Sequence, residues 1–394
     1  MANIISGDHA VGSESDRRPS EVRLAGLPPL LHPHCGSRFS SFWERYLNYR
    51  PYNLRSLYQR VFALLSTIVR VPAVTYERLK HDRKIAAEPL EHGPVFIIGH
   101  WRSGTTYLHN LISQDPQFAW ISFSRSAMPL DCLTPVRPGR DLMNLLLPKT
   151  RGMDQVAMDA DTPQEEEIAL GILGDICFYN CYYYPRSIDS EFRRSVLLED
   201  LRPGELQQLA ENYRFLAQKM AYAYGGKTVL FKNPASTARM SFLKGVFPNA
   251  KFVHIVRPPY DVYPSMMKLL PRMLSALAWQ KPEGIDLSET TLSFYERTMR
   301  AHIEDRKQIP PEDFHEVRFE DLERAPEDVI RGIYGALKLP NVEAAMTAIA
   351  GHIESQRSYQ KNTHELPDGV ARTIANRWAF AFDYWGYKLE PECD

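Results

Sequence analysis

Two arginines in this chain each follow a short apolar run, and both stand where a small anion is readily gripped. Val95, Phe96, Ile97 and Ile98 precede Gly99, and residues His100 to Thr105 lead into a segment whose Leu108, Leu111 and Ile112 recur at helical spacing. An apolar run this short reads as a strand buried on both faces. Arg102, Ser103, Gly104, Thr105 and Thr106 then fill the turn into a helix, where unpaired backbone N–H groups attract negative charge. The segment KFVHIVRPPYDVYPS (251–265) repeats the theme. There Arg257 leaves a strand end, Pro258 and Pro259 start a helix without wasting donors, and Ser265 lies on that helix. Lys232 closes a third apolar run, TVLFK (228–232).

The first turn has the spacing of a P-loop, G-x-x-x-x-G-K-[ST], but Thr105 stands where the lysine for the outer phosphates belongs. The cation is Arg102, inside the loop, whose guanidinium fork holds an oxyanion at two points without a metal beside it. The later strands end in Lys-Asn-Pro and Arg-Pro-Pro, where a nucleoside triphosphatase would carry its magnesium-binding aspartate. The expected ligand is therefore anionic, and no metal is expected.

With these residues the chain resembles the PAPS-dependent sulfotransferases, in the branch with an R-S-G-T-T loop. GHWRSGTT (99–106) is similar to the family's 5′-phosphosulfate loop, and KFVHIVRPPYDVYPS to its 3′-phosphate motif, which implies Arg257 and Ser265 as 3′-phosphate contacts. TVLFKNP (228–234) resembles the L-K-x-P strand end, which implies Lys232 toward the donor or the acceptor oxygen. EVRFEDLERAPEDVIRGIYGALKL (316–339) and SYQKNTHELPDGVARTIANRWAFAFDYWGY (358–387) resemble the C-terminal segments. The second implies a basic loop, with Arg357 and Lys361 as further phosphate contacts. The resemblance runs over about residues 94–387. Four departures stand out: Pro258 in place of aspartate or asparagine, Phe319 in place of tyrosine, HELPDGV (364–370) without the aromatic pattern of the covering loop, and Trp101, read as packing beside the acceptor. The implied fold is α/β, a three-layer P-loop-like architecture with a central parallel sheet and a large helical insert. The implied reaction moves a sulfuryl group from PAPS to a small hydroxylated acceptor.

Such a transfer needs a base for the acceptor proton and cations for the developing charge. DTPQEEEIALGIL (161–173) reads as a helix with Thr162 as cap, Pro163 in its first position and Glu165 three residues on. A capping box is the plain reading. Yet Glu165 then shares a face with Ile168, Ala169, Ile172 and Leu173, which aims its carboxylate inward and raises its pKa. The resemblance also implies acidic residues in such a segment, so Glu165 is the candidate base and Glu166 its reserve. His109, on the helix after the loop, is a further candidate; His100 and His254 read as structural. FYNCYYYPRS (178–187), Trp120, Phe123 and Met128 line either an acceptor pocket or the core, as do Met266, Met267, Leu269, Leu270, Met273 and Leu274.

Composition fits one large domain: 394 residues, 44% hydrophobic and 24% charged. A formal net charge of −1 argues against a nucleic-acid partner. Five cysteines form no C-x-x-C pair, and HPHC (32–35) lacks a second ligand cluster, so neither disulfides nor zinc are expected and a cytoplasmic location is the default. Residues 1–25 are expected to be disordered, 26–93 a helical extension, and 94–394 the catalytic domain, with an acceptor-side helical insert at about 125–224. No membrane span is expected: Arg60 and Arg70 interrupt the apolar stretch 57–75, which reads as an amphipathic helix on a membrane surface or on the core. Two other classes stay open, a P-loop-type small-molecule kinase and an inactive nucleotide-binding protein of the same fold.

Overall fold

The computed structural model describes residues 32–134, 144–145, 147, 159–356, 366 and 368–389. Five strands are described: β1 (Val95–Ile98), β2 (Phe118–Trp120), β3 (Thr228–Lys232), β4 (Lys251–Val256) and β5 (Phe314–Arg318). They form one sheet in the order β2-β3-β1-β4-β5, with every pairing parallel. The apolar continuity of β1 has a simple cause, because both of its faces are covered. Phe96 and Ile98 pack on one side with Tyr213, Leu216 and Ala217 of the helix Glu205–Ala223. Val95 and Ile97 pack on the other with Leu108, Leu111 and Ile112 of α4 (Thr105–Ile112) and with Ile330, Ile333 and Ile349. Helices, sheet and helices make the three layers the sequence implied.

The strand bounds agree with the apolar runs to within a residue; β4 stops at Val256, so that Arg257 is the first residue beyond it. β2 had no sequence signal, since three residues are too few to show a period. The register sets Ile97 opposite Lys232 and Ile98 opposite His254, so the turns after β1, β3 and β4 open at one edge of the sheet. That edge, where the chain order reverses across β1, is where α/β sheets hold ligands.

Before β1 come three helices, α1 (Phe39–Asn48), α2 (Leu57–Val69) and α3 (Val71–Ala86). The stretch 57–75 is thus two helices, with a 45° bend at Arg70, rather than one. No single helix among the described residues is long and apolar enough to cross a membrane. HPHC is a buried turn: His32 stacks on Trp279 and His34 bonds the Tyr184 hydroxyl at 2.9 Å. The insert contributes the helices Glu167–Leu173, Ile188–Ser195 and Glu205–Ala223, while residues 1–25 and most of 135–158 lie outside the described residues.

Candidate active site

The loop between β1 and α4 is shaped by two residues in the left-handed region, Arg102 at φ 72° and Gly104 at φ 98°. For arginine that conformation costs about 1 kcal/mol or more, so the surroundings must hold it. They do: the Arg102 Nε donates to Ser265 Oγ at 2.8 Å, and its carbonyl accepts from Arg257 Nη1 at 3.2 Å. Gly104 has no alternative, because a Cβ there would lie 2.3 Å from the Phe319 ring. The same ring lies 4.7 Å beneath the Arg257 guanidinium, whose Nε also donates to Asp261 at 3.3 Å. Gly104 caps α4 without a side-chain hydrogen bond, leaving the first-turn amides directed at the loop.

Sequence reasoning treated Arg102 and Arg257 as two separate grips, with Ser265 assisting Arg257. The structure also links the three residues in one array, in which Ser265 engages Arg102. Ser265 does lie on the helix expected of it, Pro259–Leu277, which Pro258 caps and Pro259 begins. Two arginines tied to one loop at a helix N-terminus suit a ligand of more than one negative charge. This donor set fits the phosphosulfate and phosphate groups of PAPS. Arg357 and Lys361 lie outside the described residues.

The acidic segment differs from its sequence reading. Its helix spans Glu167–Leu173, so Thr162 is not the cap. The Thr162 hydroxyl bonds Asp159 instead, and Pro163 forms an antiparallel bridge with Ser122 beyond β2. Gln164 N donates to Ile121 O at 2.9 Å, which ties the segment to the sheet's ligand edge. Residues 164–166 are therefore irregular, and the three glutamates diverge. Glu165 keeps 13% of its side chain exposed, pairs with Lys232 Nζ at 3.1 Å and accepts a hydrogen bond from the Tyr179 hydroxyl. Glu166 is fully buried. One of its oxygens accepts from the Lys232 amide at 3.1 Å, and the other has no partner among the described residues. Burial pushes its pKa up to about 8, with the neighbouring carboxylates adding to the shift. Glu167 is structural: it holds Arg239 bidentately at 3.0 Å and accepts from Asn233 Nδ2 and the Phe178 amide. Glu166, the reserve candidate, is the more deeply enclosed of the two and carries a raised pKa.

Lys232 sits where expected, at the end of β3 and only 3% exposed. His109 is on α4 as predicted and fully buried. His100 is buried against Tyr295, its pKa lowered to about 3 by desolvation, so it stays neutral. His254 bonds Glu316 at 2.7 Å and stacks on His302 at 3.9 Å. Stacked imidazoles direct their lone pairs along nearly parallel lines, which suits packing better than a shared ion. Trp101 packs on Phe178 at 4.2 Å, and Phe178, Tyr182, Tyr183 and Tyr184 are core residues, as are Met266 and Leu270. Tyr179 is the exception in the aromatic run, and its dense neighbours masked it in the sequence. Phe319 supports the loop and Arg257. Arg239 and Asn233 carried no signal, because the carboxylate they share, Glu167, is brought to them by the fold.

The comparisons with known proteins agree with this geometry. The chain is 30% identical over 318 residues to the omega-hydroxy-beta-dihydromenaquinone-9 sulfotransferases Stf3 of Mycobacterium tuberculosis and Mycobacterium bovis, covering 79% of this chain and 80% of theirs. In fold it is similar to sulfotransferase STF9 from Mycobacterium avium, with a TM-score of 0.66 at 18% identity over 88% of this chain and 90% of that one. Sulfotransferase STF1 from Mycobacterium tuberculosis gives 0.63 at 18% identity over 86% and 90%. Residues 94–343, from the strand before the arginine loop to beyond the last strand of the sheet, match the sulfotransferase family, and the chain belongs to it.

Proposed function

We propose that this protein transfers a sulfuryl group from PAPS to a hydroxyl of an apolar acceptor, with Glu165 as base. The observation that carries this reading is the placement of the Glu165–Lys232 pair at the end of β3, beside the β1 turn whose Arg102 is tied to Ser265 and to Arg257 after β4. PAPS supplies the sulfuryl group and leaves as the 3′,5′-bisphosphate. Arg102, with the amides and hydroxyls of Ser103, Gly104, Thr105 and Thr106, would hold the 5′-phosphosulfate. Arg257 and Ser265 would hold the 3′-phosphate, and Ser265 also accepts from the Arg102 Nε. Glu165 takes the acceptor's O–H proton as the new S–O bond forms. Lys232, at the end of β3, would offset the charge left on the bridging oxygen when the old S–O bond breaks.

Glu165 is preferred to Glu166 because it is the one with access to an incoming hydroxyl, and Tyr179 orients it. His109, enclosed in its helix, has no role in this scheme. The relatives named for an omega-hydroxylated dihydromenaquinone support an alcohol on a long apolar chain as acceptor. The decisive experiment is calorimetric titration with PAPS and with ATP–Mg, followed by mass spectrometry of apolar alcohols and phenols incubated with PAPS. Binding of PAPS alone and a sulfated product are expected. Binding of ATP–Mg alone would turn the reading into a kinase; PAPS binding with no product from any acceptor would leave a binding protein.

A further inference from the structure

Helix α2 is built inside out. Its buried residues are Gln59, Arg60, Ala63 and Thr67, while Leu57, Val61, Leu65 and Ile68, at the same helical spacing, are about half exposed. On α1 the pattern recurs: Phe42 and Arg45 face inward, and Phe39, Trp43 and Leu47 face out. Besides the inward contacts of Phe42, Ala63 and Ile85, ion pairs fasten these helices to the body. Arg45 pairs with Asp175 at 2.9 Å, Arg70 with Asp131, and Glu77 with Lys219. A helix that buries Gln59, Arg60 and Thr67 and presents leucine and valine to the outside departs from the usual arrangement of a surface helix.

Charge narrows what meets this face. Residues 38–86 hold ten Lys or Arg and three Asp or Glu, a balance of +7 in a chain of net −1. Seven of those ten cations are exposed, against one exposed acid, Glu44. An apolar stripe with aromatic residues and a cationic surround suits the headgroup boundary of an anionic bilayer. A second copy of this chain would set the same positive charges against each other. The face also leads toward the site. Phe62 and Leu64 of α2 join the apolar cluster that contains Trp101, and Val74 of α3 shares a cluster with Tyr179.

We infer that α1–α3 form an interfacial platform that seats the enzyme on an anionic lipid surface, from which an apolar acceptor enters beside Tyr179. The inference rests on the reading of the acceptor as apolar. It is tested by flotation of the full chain with vesicles of phosphatidylcholine alone and of phosphatidylcholine with phosphatidylglycerol. Wild type should float with the anionic vesicles, and less so at high salt. Replacing Val61→Ser, Leu65→Ser and Ile68→Ser together should cut binding about tenfold or more. The melting temperature and the turnover of a short-chain, water-soluble alcohol should be kept, while turnover of the same head group on a vesicle-embedded chain falls. The inference is overturned if wild type does not float, if the triple variant floats as well as wild type, or if the face instead joins two copies in sedimentation. Absence of sulfated product from either alcohol would strike the sulfotransfer reading alone, because flotation is scored without turnover.

Discussion

Arg102 and Arg257 are 155 residues apart and meet, whereas Glu165, Glu166 and Glu167 are consecutive and part. The arginines meet because each follows a strand of one parallel sheet, and the β1–β4 register brings those strand ends together. The glutamates part because residues 164–166 precede the helix and have no regular period, so each side chain takes the direction the irregular backbone allows. One carboxylate pairs with Lys232, one is buried as an acid and one neutralises a buried guanidinium. Regular backbone makes a motif's position readable; irregular backbone leaves it to the neighbours.

The sharpest way to break this contrast is Glu165→Gln. Loss of a general base typically lowers turnover by about 10²- to 10⁴-fold. Steady-state kinetics and calorimetry should show that fall with PAPS affinity kept, and equal falls for Glu165→Gln and Glu166→Gln would mean the three glutamates are not distinct. Next is Glu167→Ala, which strands Arg239 in the core. Breaking one side of a buried pair costs about 3–5 kcal/mol, so denaturant unfolding should show a loss of stability in that range.

Glu166→Gln tests the middle residue through pH. The folded carboxyl keeps its proton up to about pH 8, while the unfolded one loses it near 4.5. Between those values the native state binds more protons, so wild-type stability falls as pH rises through the window and levels off above it. The variant should lack this slope, and the difference by pH 8 is on the order of 4 kcal/mol. Parallel stability curves from pH 5 to 8 would show that Glu166 ionises as freely when folded as when unfolded. The smallest effect is expected on the donor side. Arg257→Ala removes one charge-assisted contact, about 1.5–3 kcal/mol, and should weaken PAPS binding roughly 10- to 150-fold. Unchanged affinity would detach Arg257 from the donor site.

Most of the donor side was legible because its signals are local. Val95–Ile98, Gly104 and the Pro258–Pro259 helix start each show in a few neighbouring residues. The link from Ser265 to Arg102 was not, since it depends on how the helix Pro259–Leu277 lies over a loop 163 residues away. On the acceptor side the capping pattern at Thr162 was misleading. The bridge between Pro163 and Ser122 and the bond from Gln164 to Ile121 hold that stretch extended, which delays the helix to Glu167.

From its residues alone this chain determined a parallel sheet with cationic turns, because apolar runs, glycine, proline and arginine act over distances of a few residues. Which glutamate would pair with Lys232, that the Tyr179 hydroxyl would bond it, and that α2 would turn leucines outward were decided only by tertiary structure. Those outcomes depend on burial and on partners distant in sequence, and a carboxylate or a leucine carries no local mark of the environment the fold will place around it.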